Sequence, residues 1–253
     1  AVLPYCYAGN MGKVNRNGGF PLFNKIGATR IEQTICSAAS SAGWKMHCGD
    51  APGSPPEKVI DSSLVVLWGI NAKVTNVHFW KMVVQARRNG AKVVVIDPYK
   101  NITGHSADYY IAIKPGGDSA FALSVFKYLI EKGVLDEEEL CEKTDGFGAF
   151  KKYLTSVSNE RLVESSGVEP ETVKALGDLL IANTATFIRI GIGMTRNSRG
   201  GAGIRSIINL ARGLNLFTGE KGKGILCSTG AFRGGSSAFK HDELVKTEPR
   251  TIN

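Results

Sequence analysis

The sequence predicts an α/β protein: a doubly wound, mostly parallel sheet flanked by helices. Three observations carry this. Leu64-Val65-Val66-Leu67-Trp68, Val93-Val94-Val95-Ile96 and Tyr109-Tyr110-Ile111-Ala112-Ile113 are short, near-continuous apolar runs, as in strands buried on both faces. Helical patterns alternate with them, as βαβ crossovers require. Each run ends in a polar turn, namely Gly69-Ile70-Asn71, Asp97-Pro98 and Lys114-Pro115-Gly116-Gly117-Asp118. In such sheets ligands bind beyond the carboxyl ends of the strands, where these turns fall.

Taken in order, residues 1–31 are glycine-rich and read as packed loop structure. The small-residue stretch Thr34-Ile35-Cys36-Ser37-Ala38-Ala39-Ser40-Ser41-Ala42 starts a helix that Gly43 is expected to end. Gly49, Pro52, Gly53, Pro55 and Pro56 then make a loop. Between the first two strands a helix runs from about Thr75 to Asn89, with Val77, Trp80 and Val84 on one face and Gly90 as its stop. The resulting βαβ unit is expected to be right-handed. A helix over residues 119–132 follows Asp118, which sits where an N-cap would, turning a positive helix end toward the strand tips. The acidic run 136–139 opens a helical region to Leu154, broken at Gly146, and carboxylates at a helix start are a solvated face. A helix N-terminus at Val168-Glu169-Pro170-Glu171 running into residues 173–182, a strand at 185–190, the turn Gly191-Ile192-Gly193-Met194-Thr195-Arg196 and a helix at 203–214 complete the pattern.

With 253 residues, 43% of them hydrophobic, the chain can bury one large core or two modest ones. It holds no apolar run of transmembrane length and no secretory leader, so a soluble chain without direct membrane insertion is expected. Both ends look cut, as in a fragment or a processed product. The net charge of +8 suits polyanionic partners. Basic pairs such as Arg87-Arg88 lie in helix pattern without interleaved aromatics, which argues against nucleic acid. Five scattered cysteines without a C-x-x-C pair argue against a disulfide framework and against a zinc or iron–sulfur site within this chain.

Four features carry candidate chemistry. Gly191-x-Gly193-x-x-Arg196 has the outline of a dinucleotide fingerprint, but Arg196 replaces the third glycine and no acidic residue follows at ribose distance. It is either a phosphate-approach turn, with Arg196 or Arg199 as counter-charge, or a plain tight turn. Asp97 and Asp118 put two carboxylates beside the crevice. A carboxylate can accept from both the N1–H and the exocyclic amine of guanine, while the plainer roles are turn formation for Asp97 and N-capping for Asp118. Cys36 is either a small buried hydrophobe or a thiolate at a helix N-terminus able to bind a soft metal. Arg233 lies in a glycine loop that could hold an anionic substrate.

These pieces in this order resemble the molybdopterin oxidoreductases of the dimethyl sulfoxide reductase family. The resemblance rests on Tyr5-Cys6-Tyr7-Ala8-Gly9-Asn10-Met11-Gly12, Thr34-Ile35-Cys36-Ser37, Trp68-Gly69-Ile70-Asn71, Ile96-Asp97-Pro98, Ala107-Asp108, Pro115-Gly116-Gly117-Asp118, Gly191-Ile192-Gly193 and Leu216-Phe217-Thr218-Gly219. It implies a bis-molybdopterin guanine dinucleotide carrying molybdenum or tungsten, and two-electron or oxygen-atom transfer on a small substrate. Cys36 falls where the family places its protein ligand to the metal, and Arg233 where formate dehydrogenases carry an active-site arginine. Gly69, Asn71, Asp97, Gly116 and Asp118 match turns holding one guanine dinucleotide. Gly191, Gly193, Met194, Thr195 and Arg196 match the turn approaching the other.

Two positions depart from the family. Ser37 stands where formate dehydrogenases have histidine, which argues against formate oxidation, and Tyr99 replaces an arginine expected to reach a phosphate. The family's iron–sulfur domain and its C-terminal cap do not fall within this sequence, so the chain is expected to be a fragment, inactive alone, working with those domains and an electron-transfer subunit. The iron–sulfur cluster would lie outside the chain, and the compartment is left open: cytoplasmic, or membrane-associated through partner subunits. The expected division is one lobe at 32–190, with 1–31 and 191–253 forming part of a second. A catalytically silent scaffold of the same fold and an NAD-type nucleotide module are the competing readings.

Overall fold

The computed structural model describes residues 2–5, 18–31, 34 and 37–227, with backbone alone at 251–252. The chain forms two units, residues 1–39 with 229–253, and residues 40–228. In the first, helix α1 (Phe20–Lys25) starts with proline in its first turn, and the Arg30 guanidinium donates to Asn24 Oδ1 at 2.9 Å. Strand β1 (Arg30–Ile31) pairs in parallel with Thr251–Ile252.

The second unit carries a five-stranded sheet: β2 (Leu64–Trp68), β3 (Lys92–Ile96), β4 (Tyr109–Ile111), β5 (Thr186–Ile190) and β6 (Gly224–Leu226). Their order is β4-β3-β2-β5-β6, and every neighbouring pair is parallel. All five residues of β2 are buried, as a central strand covered on both faces must be. Alternation then sorts its side chains. Leu64, Val66 and Trp68 join Phe121, Val125, Leu176, Ile204 and Ile207 in one core, while Val65 and Leu67 join Phe79, Val83 and Phe187 in the other.

The covering helices follow from the sequence pattern. A single turn, α3 (Ala72–Thr75), precedes α4 (Val77–Arg88), which lays Phe79, Trp80, Val83 and Ala86 on one face of the sheet. Beyond β4, α5 (Asp118–Glu131) buries Phe121, Val125 and Leu129 on the other. Then come α6 (Glu137–Lys143), α7 (Phe147–Ser156), α8 (Asn159–Ser166) and α9 (Pro170–Ala182) before the chain re-enters the sheet at β5. Helix α10 (Gly200–Gly213) lies beside α5, with the Ser119 and Ser206 hydroxyls 2.8 Å apart.

Several expectations are corrected. Gly43 does not end the first helix of this unit: α2 (Ala38–Cys48) runs through it. A Cβ on Gly43 would lie 2.7 Å from the Gly201 carbonyl oxygen, so the missing side chain lets α2 approach α10. The division expected at 190/191 falls inside the second unit, because β6 pairs with β5 from Phe187↔Gly224 to Arg189↔Leu226. Helix α8 and strand β6 carry no signal strong enough to be expected, one being polar and the other three residues long.

Candidate functional site

The sheet reverses its winding between β2 and β5, which makes their carboxyl ends the ligand crevice of a doubly wound fold. Register levels those ends. Trp68 lies opposite Ile96 on one side and Ile190 on the other, so the next residues, Gly69, Asp97 and Gly191, form one row along the edge. Backbone bonds hold the row, Gly69 N–H to the Ile96 carbonyl at 2.8 Å and Gly191 N–H to the Trp68 carbonyl at 2.7 Å.

Glycine is required here by closeness. A Cβ on Gly191 would lie 2.0 Å from the Gly69 carbonyl oxygen, an overlap that no side chain tolerates. Gly69 itself has φ +64°, a left-handed conformation, and its Cβ position lies 3.2 Å from that of Met194. Gly203 admits the Met194 Cε and brings α10 to within van der Waals contact of Asp118. The turns at 69–71, 116–118 and 191–197 therefore converge. Gly116, φ +80°, completes the set: a Cβ there would lie 3.2 Å from Asn197 Oδ1.

The polar residues on these turns are held in place. Asp118 is buried, and its Oδ1 accepts from Trp68 Nε1 at 2.8 Å. It is the first residue of α5, and Gly117 occupies the N-cap position. The N-cap expectation is thus replaced by a tertiary bond to the last residue of β2. Burial pushes the Asp118 carboxyl above its usual range, opposed by the Trp68 bond and its own backbone N–H, with the nearby Asp97 adding a further upward push. Asp97 is half-buried and raised for the same reason, against a bond from the Tyr99 N–H. Asn101 Nδ2 also donates to it, at 3.3 Å. The Asn71 side-chain oxygen accepts from the Thr103 hydroxyl at 2.7 Å.

On the third turn Met194 and Thr195 are buried, and the Thr195 hydroxyl donates to the Ile192 carbonyl at 2.7 Å. Gly193, Arg196 and Arg199 are exposed. Gly69, Asn71, Asp97, Gly116, Asp118, Gly191, Gly193, Met194, Thr195 and Arg196 all lie within this one unit. Cys36 and Arg233 fall outside the described residues, as does the Cys6–Gly12 part of the sequence motif. Among the described residues no cluster of three or more His, Cys, Asp or Glu side chains could hold a metal ion, and no helix is long and apolar enough to cross a membrane. Two residues of the crevice escaped the sequence reading. Trp68 entered only as the end of an apolar run and the first residue of the Trp68-Gly69-Ile70-Asn71 motif, with no side-chain role, whereas Arg189, a charge inside Thr186-Phe187-Ile188-Arg189-Ile190, is an anomaly visible in the sequence itself.

The fold and this edge define a doubly wound α/β protein with a glycine-lined, acid-bearing crevice at its switch point. The chain belongs to the molybdopterin oxidoreductase family, whose model matches residues 11–248; the family's enzymes use a molybdenum or tungsten pterin cofactor. It is 37% identical to "Probable oxidoreductase YoaE" of Bacillus subtilis (strain 168), over 100% of this chain and 38% of that protein. It is 30% identical to "Assimilatory nitrate reductase" of Haloferax mediterranei, over 76% of this chain and 26% of the relative. The chain thus spans well under half the length of these curated relatives. Among solved structures, acetylene hydratase from Pelobacter acetylenicus superposes with a TM-score of 0.67 at 16% identity, covering 92% of this chain and 32% of that one. That likeness shows the fold.

Proposed function

We propose that this chain is the central part of the catalytic subunit of a bis-molybdopterin guanine dinucleotide oxidoreductase, and that the β2/β5 crevice holds the guanine end of the cofactor. The observation that carries the reading is the convergence of Gly69, Gly191 and Asp118. Two backbones approach each other too closely for a side chain, beside a buried carboxylate with acceptor capacity to spare. Trp68 and the Asp118 backbone N–H engage part of that capacity, and a carboxylate offers about four acceptor sites.

When bound, the metal–pterin group supplies two-electron or oxygen-atom transfer on a small substrate. The chain's own residues hold it. Asp118 accepts from the N1–H and exocyclic amine of guanine, which requires it ionised. The Asn71 amide donates to the nucleotide, and Gly116 and Gly193 keep backbone N–H groups approachable. Met194, Thr195 and Arg196 form the wall and counter-charge of the turn nearest the diphosphate. Cys36 is the protein ligand to the metal and Arg233 contacts the substrate. Tyr99, exposed beside Asp97, replaces a phosphate-reaching arginine. An iron–sulfur cluster on a domain outside this chain would supply electron transfer to a partner subunit, and a C-terminal domain would cap the pterins.

The Gly191–Arg196 turn runs into a short 3-10 turn and only then into α10 at Gly200. This separation of glycines from helix counts against the NAD-type reading, whose fingerprint opens the helix directly. Metal analysis with pterin fluorescence on the full-length protein, expressed in a cofactor-competent host, tests the proposal. Molybdenum or tungsten with pterin is expected, and Cys36→Ser abolishes activity. A metal-free, pterin-free protein, or a Cys36→Ser variant of unchanged activity and metal content, would instead establish a silent scaffold.

A further inference from the structure

Arg189 is a positive charge sealed inside β5. The residue is 5% exposed, its guanidinium carbon lies 5.9 Å from the centre of the Phe79 ring, and its register partners are Leu67 and Leu226. Its Nη1 donates to the carbonyls of Ile190 and Leu226, the last residues of β5 and β6, and of Cys227 just beyond β6. Its Nε is buried without a partner among the described residues. No ion pair involves it among the described residues. Cys227 does not supply the missing negative charge. Burial holds that thiol up at about 11, although Arg189 pulls it down, so it stays protonated at neutral pH.

Packing alone does not explain this choice. A buried charge without an opposite partner is costly, and an apolar side chain of similar volume is commonly as good or better for stability. The position suggests the reason. Arg189 lies two residues before Gly191, and its guanidinium engages the carbonyls that end β5 and β6 at the crevice edge. Strand-end carbonyls present partial negative charge to an approaching anion. A guanidinium bonded to three of them reverses the sign of that edge.

We propose that Arg189 is the fixed counter-charge for the diphosphate of the nucleotide ligand at the Gly191–Arg196 turn. The inference rests on the reading of the crevice given above. It divides electrostatic labour on this edge between two kinds of arginine. Arg196 and Arg199 are exposed, so salt screens them. Arg189 is out of water, so its attraction persists when salt is added.

The test uses the full-length protein expressed without pterin, titrated calorimetrically with GDP and with guanosine at low and at high salt, as wild type, Arg189→Met and Arg189→Lys. Arg189→Met is expected to weaken GDP on the order of tenfold at both salt concentrations while leaving guanosine unchanged. Its ligand-free melting temperature is expected to equal or exceed that of wild type. Arg189→Lys, which keeps the charge and loses the fork, is expected to hold GDP affinity within about threefold. Equal loss of GDP and guanosine in both variants, or no loss of GDP in either, overturns the proposal and leaves Arg189 a clamp on two strand ends. A wild type that binds guanosine and GDP equally overturns this inference alone. A wild type that binds neither overturns the reading of the crevice and this inference with it.

Discussion

In the helical stretch from Glu137 to Ala182, charged and polar groups sit where local rules put them. Asp136 accepts from the Glu139 N–H at the start of α6, and Ser158 from the Arg161 N–H at the start of α8. Gly167 ends α8 with φ +68°. Lys143 and Lys174 meet Glu139 and Asp178 one turn away, in water. At the carboxyl edge of β2 and β5 the same groups break those rules. Asp118 is buried one residue past the N-cap position of its helix, Arg189 is buried without an acid among the described residues, and Gly191 and Gly69 approach too closely for any side chain. The first region is arranged for stability and the second against it, and a cost concentrated on one edge is what a preorganised binding site requires.

That contrast can be broken by substitution, beginning with the largest expected effect. Gly191→Ala forces its Cβ into the Gly69 carbonyl oxygen and should destabilise the protein by about 3 kcal/mol in chemical denaturation. Gly148→Ala, in α7 with open space at its Cβ position, should instead stabilise by about 0.5–1 kcal/mol. Equal effects would remove the distinction between the regions.

Trp68→Phe removes the side-chain hydrogen bond to Asp118 seen among the described residues and should weaken GDP binding by about 2 kcal/mol, the range for a hydrogen bond to a charged group. Because that bond lowers a carboxyl already raised by burial, the variant should also shift the acid limb of GDP binding to higher pH, measured by titration across mildly acidic pH. The sign for the ligand-free fold is opposite. A carboxyl raised above its unfolded value of about 3.8 contributes stability that is present below that value and lost as pH rises through the folded one. Mild acid should therefore favour the empty crevice and disfavour the filled one, and Asp118→Asn should remove both dependences.

Smaller effects belong to the helical stretch. Ser158→Ala, losing the α8 cap, should cost about 1 kcal/mol in thermal unfolding and leave nucleotide affinity unchanged. Lys174→Ala breaks an exposed pair with Asp178 and should change neither measurement detectably. A loss of affinity in either variant would place function where the geometry gives none.

How much of this was legible beforehand follows the same division. The strands β2, β3 and β5 announce themselves because apolar runs covered on both faces have few alternatives, and Gly69, Gly116 and Gly191 stand out because tight turns demand glycine. Gly43 misled because a glycine that ends a helix and one that admits a neighbouring helix look alike in sequence. Asp118 suited an N-cap locally, and only the fold brings Trp68, 50 residues earlier, to its carboxylate. Strand β6 was missed because Gly224-Ile225-Leu226 is too short to show a period, and with it the single sheet that joins residues on both sides of position 190.

The central claim is that Asp118 reads a guanine in the β2/β5 crevice, and exchanging its acceptor for a donor tests it most directly. In competition between GDP and xanthosine diphosphate, whose base carries a carbonyl in place of the exocyclic amine, wild-type full-length protein should prefer GDP. Asp118→Asn should prefer the xanthine nucleotide, because the asparagine amide can donate where the carboxylate could only accept. An Asp118→Asn protein that keeps the wild-type preference for GDP would contradict the account.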